Sequence, residues 1–323
     1  MEGFDIPIGE WGKSVVDWIR DNLDGLTDAI STVVGFLAEG LAAILIAPPA
    51  PVMILIFALI AWLVRSWQLA VGTVVMFVVI LGVGQWETSM QTLALVLLAT
   101  LVTVVIAVPL GIWAARNDTA STVMKPVLDL MQTMPSLVYL IPVIIFFSLG
   151  FVPGVIATVI FSLPPGVRLT ELGIRGVDSE TVEAGHAFGA TPGQILRGIQ
   201  LPLAMPTIMA GVNQVIMLAL SMAVIAGMAG APGLGKEVVA ALATINVAQG
   251  IEAGLGVVFI AVYLDRVTAA LGNPSGSRSS LLGILQRRRE DARRASASAA
   301  AQPADSLAEA EELVAAGPRT TPL

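Results

Sequence analysis

The chain has 323 residues, of which 56% are hydrophobic and 13% are charged, and its formal net charge is −7. A soluble domain is nearer half apolar and a quarter charged, so this composition argues against one large soluble core and favours a bundle of membrane-crossing helices. The sequence contains no cysteine and one histidine, His186, which excludes disulfides, thiolate catalysis and cysteine metal sites and gives no basis for a histidine-rich metal centre.

The amino-terminal residues 1–47 are predicted to form an acidic, amphipathic segment outside the membrane. Apolar side chains recur at helical spacing among acids over residues 10–28, which is typical of a helix on a membrane surface. Those side chains are Trp11, Val15, Trp18, Ile19 and Leu23. Residues 29–47 are apolar but include Glu39, which favours an interfacial or packed segment over a full crossing. The acidic start lacks the basic region of a cleavable signal peptide, so none is predicted.

Seven apolar stretches approach or exceed the roughly 20 residues that a helix needs to cross about 30 Å of hydrocarbon. They cover residues 48–65, 67–84, 91–115, 132–150, 152–169, 201–230 and 254–271. The first two form a separate pair within residues 48–87, and the other five belong to a core domain over residues 88–272. Pro164 and Pro165 are expected to end or kink the fifth stretch.

The distribution of lysine and arginine predicts the orientation, because these residues accumulate in cytoplasmic loops. Seven crossings with the amino end outside leave only Lys13, Arg20 and Lys236 on the outer side. The basic residues then placed inside are Arg65, Arg116, Lys125, Arg168, Arg175, Arg197, Arg266 and all later arginines. The carboxyl end and the polar stretch before the sixth span are therefore predicted to be cytoplasmic.

Residues 273–323 differ in composition from the rest of the chain. Arg287, Arg288 and Arg289 follow a short apolar run, and an Ala/Glu-rich stretch comes after them. The favoured interpretation is a charge cluster that fixes topology, followed by a disordered cytoplasmic tail. The alternative is a short helix that lies on anionic membrane lipid. No nucleic-acid partner is predicted.

The stretch "GAPGLGKE" at residues 230–237 fits seven positions of a phosphate-binding loop. At the eighth position Glu237 replaces the hydroxyl residue that would coordinate magnesium, and an apolar helix precedes the stretch where a strand is needed. ATP binding here is therefore not predicted, and the stretch is interpreted as a glycine-rich turn into a short external helix.

A polar hairpin is predicted over residues 180–200, where the sequence reads "VEAGHAFGATPGQILRGIQLP" from 182 to 202. The pattern indicates a helix, a turn at Gly189, a second helix and a proline that opens the next span. The residues alone leave two interpretations open. The hairpin is either an ordinary cytoplasmic connector or a rigid element that fits a cleft in a soluble partner and carries its motion into the membrane.

This stretch resembles the signature E-A-A-x-x-x-G followed by I-x-L-P, which marks permease subunits of binding-protein-dependent ABC importers. The matching residues are Glu183, Ala184, Gly185, Gly189, Ile199, Leu201 and Pro202. Gly185 stands where the second alanine is usual, a replacement of one small residue by another. The flanking texts "VPLGIWAAR", "VLDLMQTMPSLVYLIP" and "SLPPGVRLT" are similar to the glycine betaine/proline importer permease, and the similarity extends over roughly residues 48–272.

The resemblance implies an all-α, polytopic helical bundle with the type I ABC importer permease fold and about seven transmembrane helices. It implies a second permease copy in a homodimer, two copies of a cytoplasmic ATPase and an external solute-binding protein. ATP and magnesium would bind the partner ATPase, and no cofactor or metal would bind this chain. The chain would therefore be a translocation subunit of a prokaryotic plasma (inner) membrane and not an enzyme.

Residues of the substrate pathway are predicted from polar or aromatic groups within spans, which often face the bundle interior. The candidates are Gln132, Met134, Tyr139, Asn213, Gln214 and Met217. Tyr139 is either a cation–π face for a quaternary ammonium group or a tyrosine of the interfacial belt. The methionines fit either a pliable gate or helix packing. Asp265 and Arg266 are predicted to end the last span at the cytoplasmic surface.

The predicted function is ATP-driven import of glycine betaine, proline or a related compatible solute for osmoprotection, with the hairpin as the coupling element. Choline, carnitine or another quaternary amine is the alternative within the same class. An ion-coupled secondary transporter is a further alternative, which mid-span carboxylates and an inverted repeat would favour. Neither feature is clear in the sequence.

Overall fold

The computed structural model describes residues 7–272, and every regular element within them is helical, as the sequence predicts. The predicted basic and Ala/Glu-rich tail at 273–323 lies outside the described residues. The first three helices are α1 (Ile8–Ile46), α2 (Ala50–Val64) and α3 (Trp67–Gly82). The core contains α4 (Trp86–Arg116), α5 (Asp118–Thr133), α6 (Ser136–Phe147), α7 (Phe151–Arg175), α8 (Ser179–Ala187), α9 (Pro192–Ile195), α10 (Leu201–Ala226), α11 (Leu234–Thr244) and α12 (Val247–Gly272).

Helix α1 is longer than the sequence patterns suggest and is kinked at Leu23, where φ is −119° and ψ is 18°. Its part from Arg20 to Ile46 has 27 residues and contains an 18-residue stretch with a mean hydropathy of 2.1, which is long and apolar enough for a membrane crossing. Glu39 is exposed within this part and does not interrupt the helix. Arg20–Ile46 is thus a candidate span in addition to the seven predicted stretches.

Helices α2 and α3 form a hairpin joined by Arg65 and Ser66. The Ser66 hydroxyl caps α3 by accepting a hydrogen bond from the Leu69 backbone N–H at 3.3 Å. The two helices have 15 and 16 residues, so they are about 22 and 24 Å long and shorter than the predicted spans. They pack on α12 through aromatic rings, with 4.9 Å between the centroids of Phe57 and Phe77 and 5.5 Å from each to Tyr263.

Helices α4, α7 and α10 pack against one another at the centre of the core. Small residues allow this approach, as is common between membrane helices. A Cβ at Gly111 of α4 would lie 2.5 Å from the Thr170 Cβ of α7, and a Cβ at Gly166 of α7 would lie 2.8 Å from the Ala107 Cβ of α4. The predicted spans over 91–115, 201–230 and 254–271 correspond to α4, α10 and α12.

The predicted span over residues 132–150 is not one straight helix. Helices α5 and α6 meet at Met134 and Pro135 with an angle of 97° between them. This bent pair, here called the broken span, has the length and composition of one bent crossing or of a re-entrant loop. Proline at 135 removes a backbone donor and disfavours helix at the residue before it, and Met134 has an extended backbone with ψ of 133°. The sequence-based boundaries therefore missed α5 as a separate amphipathic helix.

Candidate functional site

The polar hairpin between α7 and α10 consists of α8, a turn and α9, and each helix has its own amino-terminal cap. The Asp178 carboxylate accepts hydrogen bonds from the backbone N–H groups of Glu180 at 3.4 Å and Thr181 at 3.3 Å. Thr191 and Gln194 form a capping box at the start of α9. A π-helical turn, Leu196–Gln200, then continues into α10. Local hydrogen bonds thus fix the shape of the hairpin before any partner binds.

The turn depends on Gly189, which has a φ of +79°. Its N–H donates to the His186 carbonyl at 2.9 Å, and the Ala190 N–H donates to the Gly185 carbonyl at 3.1 Å, which is the Schellman arrangement of a helix end. Space does not require glycine at this position, because a Cβ there meets nothing within 4 Å. Glycine is required for the left-handed backbone conformation and not for space.

The contact that does need a small residue is at Gly185, on the inner side of the hairpin. A Cβ at Gly185 would lie 2.7 Å from Cδ1 of Ile199 and 3.5 Å from Cγ1 of Ile195. The nearer atom is the end of a flexible side chain, so a small shift of Ile199 would admit the alanine of the family signature. Ile199 and Leu201 are half-buried, and Pro202 is exposed in the first turn of α10.

The outer side of the hairpin is exposed at Glu183, Ala184 and His186. Phe188, immediately before the turn glycine, is 92% exposed. An aromatic side chain held out from a rigid polar hairpin is typical of an anchor for a partner. Sequence reasoning missed Phe188, although an isolated aromatic residue beside a predicted turn was available as a signal.

The predicted pathway residues lie in two places, and the structure does not bring them together as one site. Gln132, Met134 and Tyr139 lie around the junction of α5 and α6, whereas Asn213, Gln214 and Met217 lie on α10. Gln132 and Gln214 are exposed, and Met134 and Met217 are half-buried. The first group lies between α5 and α6, and Asn213 of the second group contacts α12.

Tyr139 is 7% exposed in the isolated subunit. Its hydroxyl donates to the Met131 carbonyl on the other side of the break, and its ring lies 6.3 Å from that of Phe161 on α7. Tyr139 therefore connects α5 to α6 across the bend and packs the junction on α7. Burial of the ring makes its role structural.

Asn213 connects α10 to α12 inside the bundle. Its Nδ2 donates to Oδ1 of Asp265 at 3.0 Å, and its Oδ1 accepts a hydrogen bond from the Thr268 hydroxyl at 2.7 Å. Helix α12 continues beyond Asp265 and Arg266 to Gly272, so these two residues do not end the helix. Asp265 is a half-buried carboxylate that is held by an amide on the neighbouring helix.

Replacing Asn213 by alanine should lower the free energy of unfolding by about 1 kcal/mol, because interhelical hydrogen bonds in membranes contribute about that much. Asp265 and Thr268 would both lose their partner on α10. Denaturation in mixed detergent–SDS micelles, followed by circular dichroism, measures the change. Gln214→Ala is the matched control, since Gln214 is adjacent and exposed. Equal effects of the two substitutions would contradict this account of Asn213.

The glycine-rich stretch at 230–237 forms the predicted turn into a helix. Gly233 has a φ of +117°, and the first N–H of α11, at Leu234, donates to the Thr92 hydroxyl of α4 at 2.8 Å. A Cβ at Gly233 would lie 2.5 Å from that same hydroxyl oxygen. The turn is thus filled by a side chain of α4 and offers no cradle for a phosphate.

Comparison with known proteins assigns this architecture to a family. The family model described as "Binding-protein-dependent transport system inner membrane component" matches residues 107–271, which contain the α8–α9 hairpin. The chain is 45% identical over 275 residues to the glycine betaine/proline betaine transport system permease protein ProW of Escherichia coli (strain K12), covering 85% of this chain and 78% of that protein. It is 44% identical over 276 residues to the glycine betaine/carnitine transport permease protein GbuB of Listeria monocytogenes serotype 1/2a (strain 10403S), covering 84% of this chain and 98% of that protein.

A solved structure of the MetNI methionine ABC transporter in an inward-facing conformation has a similar fold. The TM-score is 0.55 at 19% sequence identity, with 59% of this chain and 95% of that chain covered. The predicted importer permease fold is confirmed. The hairpin, helices α5 and α6, and the packed helices α7 and α10 lie within the region that the family model matches, and this region begins at residue 107 inside α4. This chain belongs to the family of binding-protein-dependent transport system inner membrane components, the non-enzymatic membrane permeases of ABC importers.

Proposed function

We propose that this permease imports glycine betaine, proline or a related compatible solute. Relatives that are 44% and 45% identical over more than four fifths of this chain carry glycine betaine in their names, and this likeness is the main support. Transport of carnitine or another quaternary amine is the second candidate, which the naming of the Listeria relative favours.

The hairpin of α8 and α9 is the proposed contact with the ATPase. Support comes from its construction, because both helices are capped, the turn is fixed by Gly189 and Phe188 is presented to solvent. It connects directly to α7 and α10, two of the three helices at the centre of the core. A displacement of the hairpin would therefore reach the transmembrane bundle through rigid helices.

The proposed assembly contains two copies of this permease, two copies of a cytoplasmic ATPase and an external solute-binding protein. The ATPase subunits bind ATP and magnesium, and this chain supplies the pathway. Gln132, Met134, Gln214 and Met217 remain the candidates for lining it, since they are exposed or half-buried in one subunit. In a homodimer such residues would face the second copy or the space between the copies.

We place the hairpin and the carboxyl end on the cytoplasmic side of a prokaryotic plasma (inner) membrane. The candidate span Arg20–Ile46 adds one crossing to the seven predicted stretches, and an even number of crossings puts both ends on the same side. Lys13 and Arg20 then join the cytoplasmic residues, which leaves Lys236 as the basic residue outside among those described. This placement replaces the outside position of the amino end that seven crossings gave.

Uptake by the reconstituted complex tests the proposed function. The full chain is placed in liposomes with the ATPase and the solute-binding protein encoded beside it, and ATP-dependent entry of labelled glycine betaine is measured. Proline, choline and carnitine serve as competitors. We expect uptake only when both partners and ATP are present. Uptake by this chain alone, driven by an ion gradient, would identify a secondary transporter and contradict the proposal.

A further inference from the structure

Helix α5 is connected to α7 by three polar contacts that follow one another along the two helices. The helices run antiparallel, so the start of α5 lies beside the end of α7. The three contacts, here called the α5–α7 ladder, are Asp118 with Arg175, Ser121 with Glu171, and Asp129 with Arg168. The partners in each pair are far apart in the sequence, and each pair joins one residue of α5 to one of α7.

Arg175 is the residue on which the ladder converges. Its guanidinium lies 2.8 Å from Oδ1 of Asp118 and 3.0 Å from Oε1 of Glu171. It also donates to the Ala114 carbonyl in the last turn of α4 at 2.8 Å. One side chain thus holds the end of α4, the start of α5 and the end of α7 in a fixed relation.

Glu171 is the most buried charge of the ladder, with a side chain that is 11% exposed. The same oxygen that contacts Arg175 accepts a hydrogen bond from the Ser121 hydroxyl at 2.6 Å. Moving its partners away would leave a buried charge unpaired, which is costly. The separation of α5 from α7 is therefore disfavoured at this point.

The ladder lies between two features that would have to communicate during transport. Helix α7 ends at Arg175, and the hairpin helix α8 begins nearby at Ser179. Helix α5 ends at Thr133, immediately before the 97° break that leads into α6. Any movement of α7 that is passed to α5 would therefore act directly on the broken span.

The apolar contact between α5 and α7 leaves space beside the ladder. It centres on Leu128, which packs with Val167. A cavity of about 530 Å³ lies alongside, lined by Lys125, Leu172 and residues of the ladder. Met124, Met131 and Leu163 add to the apolar contact, and the polar contacts lie beside the space that these side chains leave unfilled.

We infer that the α5–α7 ladder makes α5 and α7 move as one body, with Arg175 as the central positioning residue. Displacement of the hairpin by the ATPase would turn α5 about the break at Met134 and Pro135 and so change access to the pathway. The ladder stays closed throughout this movement. The inference rests on the proposed role of the hairpin as the ATPase contact.

An Arg175→Gln variant of the reconstituted complex should keep ATP hydrolysis but lose most uptake. We expect the number of ATP molecules hydrolysed per solute transported to rise about tenfold, within the range by which substitutions in a coupling network change coupling. Arg175→Lys should be intermediate, since it keeps the charge but not the three-way contact. Lys125→Gln is the control, because Lys125 lines the same cavity and forms no salt bridge with described residues. An unchanged ratio, or a parallel fall of hydrolysis and uptake, would overturn the inference.

A reversible cross-link tests the same point in a variant that keeps Arg175. The chain contains no cysteine, so Asp129→Cys with Arg168→Cys gives a unique pair for a cleavable bis-methanethiosulfonate linker. These two side chains are 62% and 37% exposed and therefore accessible. With the linker closed, the ratio of hydrolysis to uptake should equal that of the wild type. After reduction it should rise part of the way towards the Arg175→Gln value, because the contacts of Arg175 and Glu171 remain. A closed linker that blocks uptake, or has no effect, would overturn the inference.

Different results would contradict the proposed role of the hairpin and the inference about the ladder. If the ATPase remains bound when Phe188 is replaced by aspartate, the proposed role of the hairpin is wrong. If the ATPase binds normally to the Arg175→Gln and linker variants and their ratio of hydrolysis to uptake is unchanged, the ladder inference alone is wrong.

Discussion

A Phe188→Asp variant should reach the membrane with its helices intact and fail to retain the ATPase. The side chain is 92% exposed in the isolated subunit, so its replacement removes no internal contact. In the assembly, a buried aromatic anchor contributes at least about 2 kcal/mol to binding, which corresponds to a roughly thirtyfold loss of affinity. A carboxylate in the same apolar site would add a desolvation cost. Affinity for the purified ATPase, measured by biolayer interferometry on the detergent-solubilised permease, gives the effect.

Two variants of the hairpin serve as controls for this prediction. Phe188→Leu keeps an apolar side chain and should weaken binding only slightly. His186→Asn changes an exposed neighbour and should bind normally. Full retention of the ATPase by Phe188→Asp, at the wild-type affinity, would show that the tip of the hairpin does not form the contact.

A Gly111→Leu variant should fold poorly and be less stable than the wild type. A Cβ at this position would lie 2.5 Å from the Thr170 Cβ and 2.7 Å from the Val167 carbonyl oxygen. The obstructing atoms include the backbone of α7, which has no rotamer to move aside. Overpacking of a close-packed site costs about 3 kcal/mol or more when the backbone has to shift. We expect low yield, aggregation on size-exclusion chromatography and a lowered melting temperature.

Gly72→Leu is the matched control for Gly111→Leu. Gly72 also lies in an apolar helix, α3, but a Cβ there meets nothing within 4 Å. The leucine should therefore leave yield and melting temperature close to those of the wild type. Gly111→Ala should fall between the two leucine variants. A monodisperse Gly111→Leu protein with an unchanged melting temperature would contradict the close contact of α4 with α7.

The sequence predicts most of the helices because a membrane requires long apolar runs and because loops are marked by charge, glycine and proline. The spans at 91–115, 201–230 and 254–271 and the hairpin at 180–200 follow from these local patterns. The residues alone did not distinguish an ordinary connector from a partner-binding hairpin. The family signature favours the partner-binding hairpin. Helix type and approximate boundaries are thus local properties of this chain.

The remaining features depend on contacts between distant residues. Pro135 indicates a break, but the 97° angle depends on the packing of Tyr139 against Phe161 and on the contacts of α5 with α7. The pairing of Glu171 with Ser121 has no local signal, and neither does that of Asn213 with Asp265. The sequence predicts the turn at Gly189, but the left-handed backbone with a φ of +79° is visible only in the structure. These contacts between helices determine how the subunit could move during transport.

The shortness of α2 and α3 has a consequence for the surrounding lipid. As membrane crossings, helices of about 22 and 24 Å would fall short of a hydrocarbon layer of about 30 Å. Hydrophobic mismatch of this kind is relieved by local thinning of the bilayer, at a fraction of a kcal/mol per ångström. The packing of α2 and α3 against Tyr263 of α12 should therefore be more favourable in membranes with shorter acyl chains. Bilayer thickness would in this way affect the position of α12, the last helix of the core.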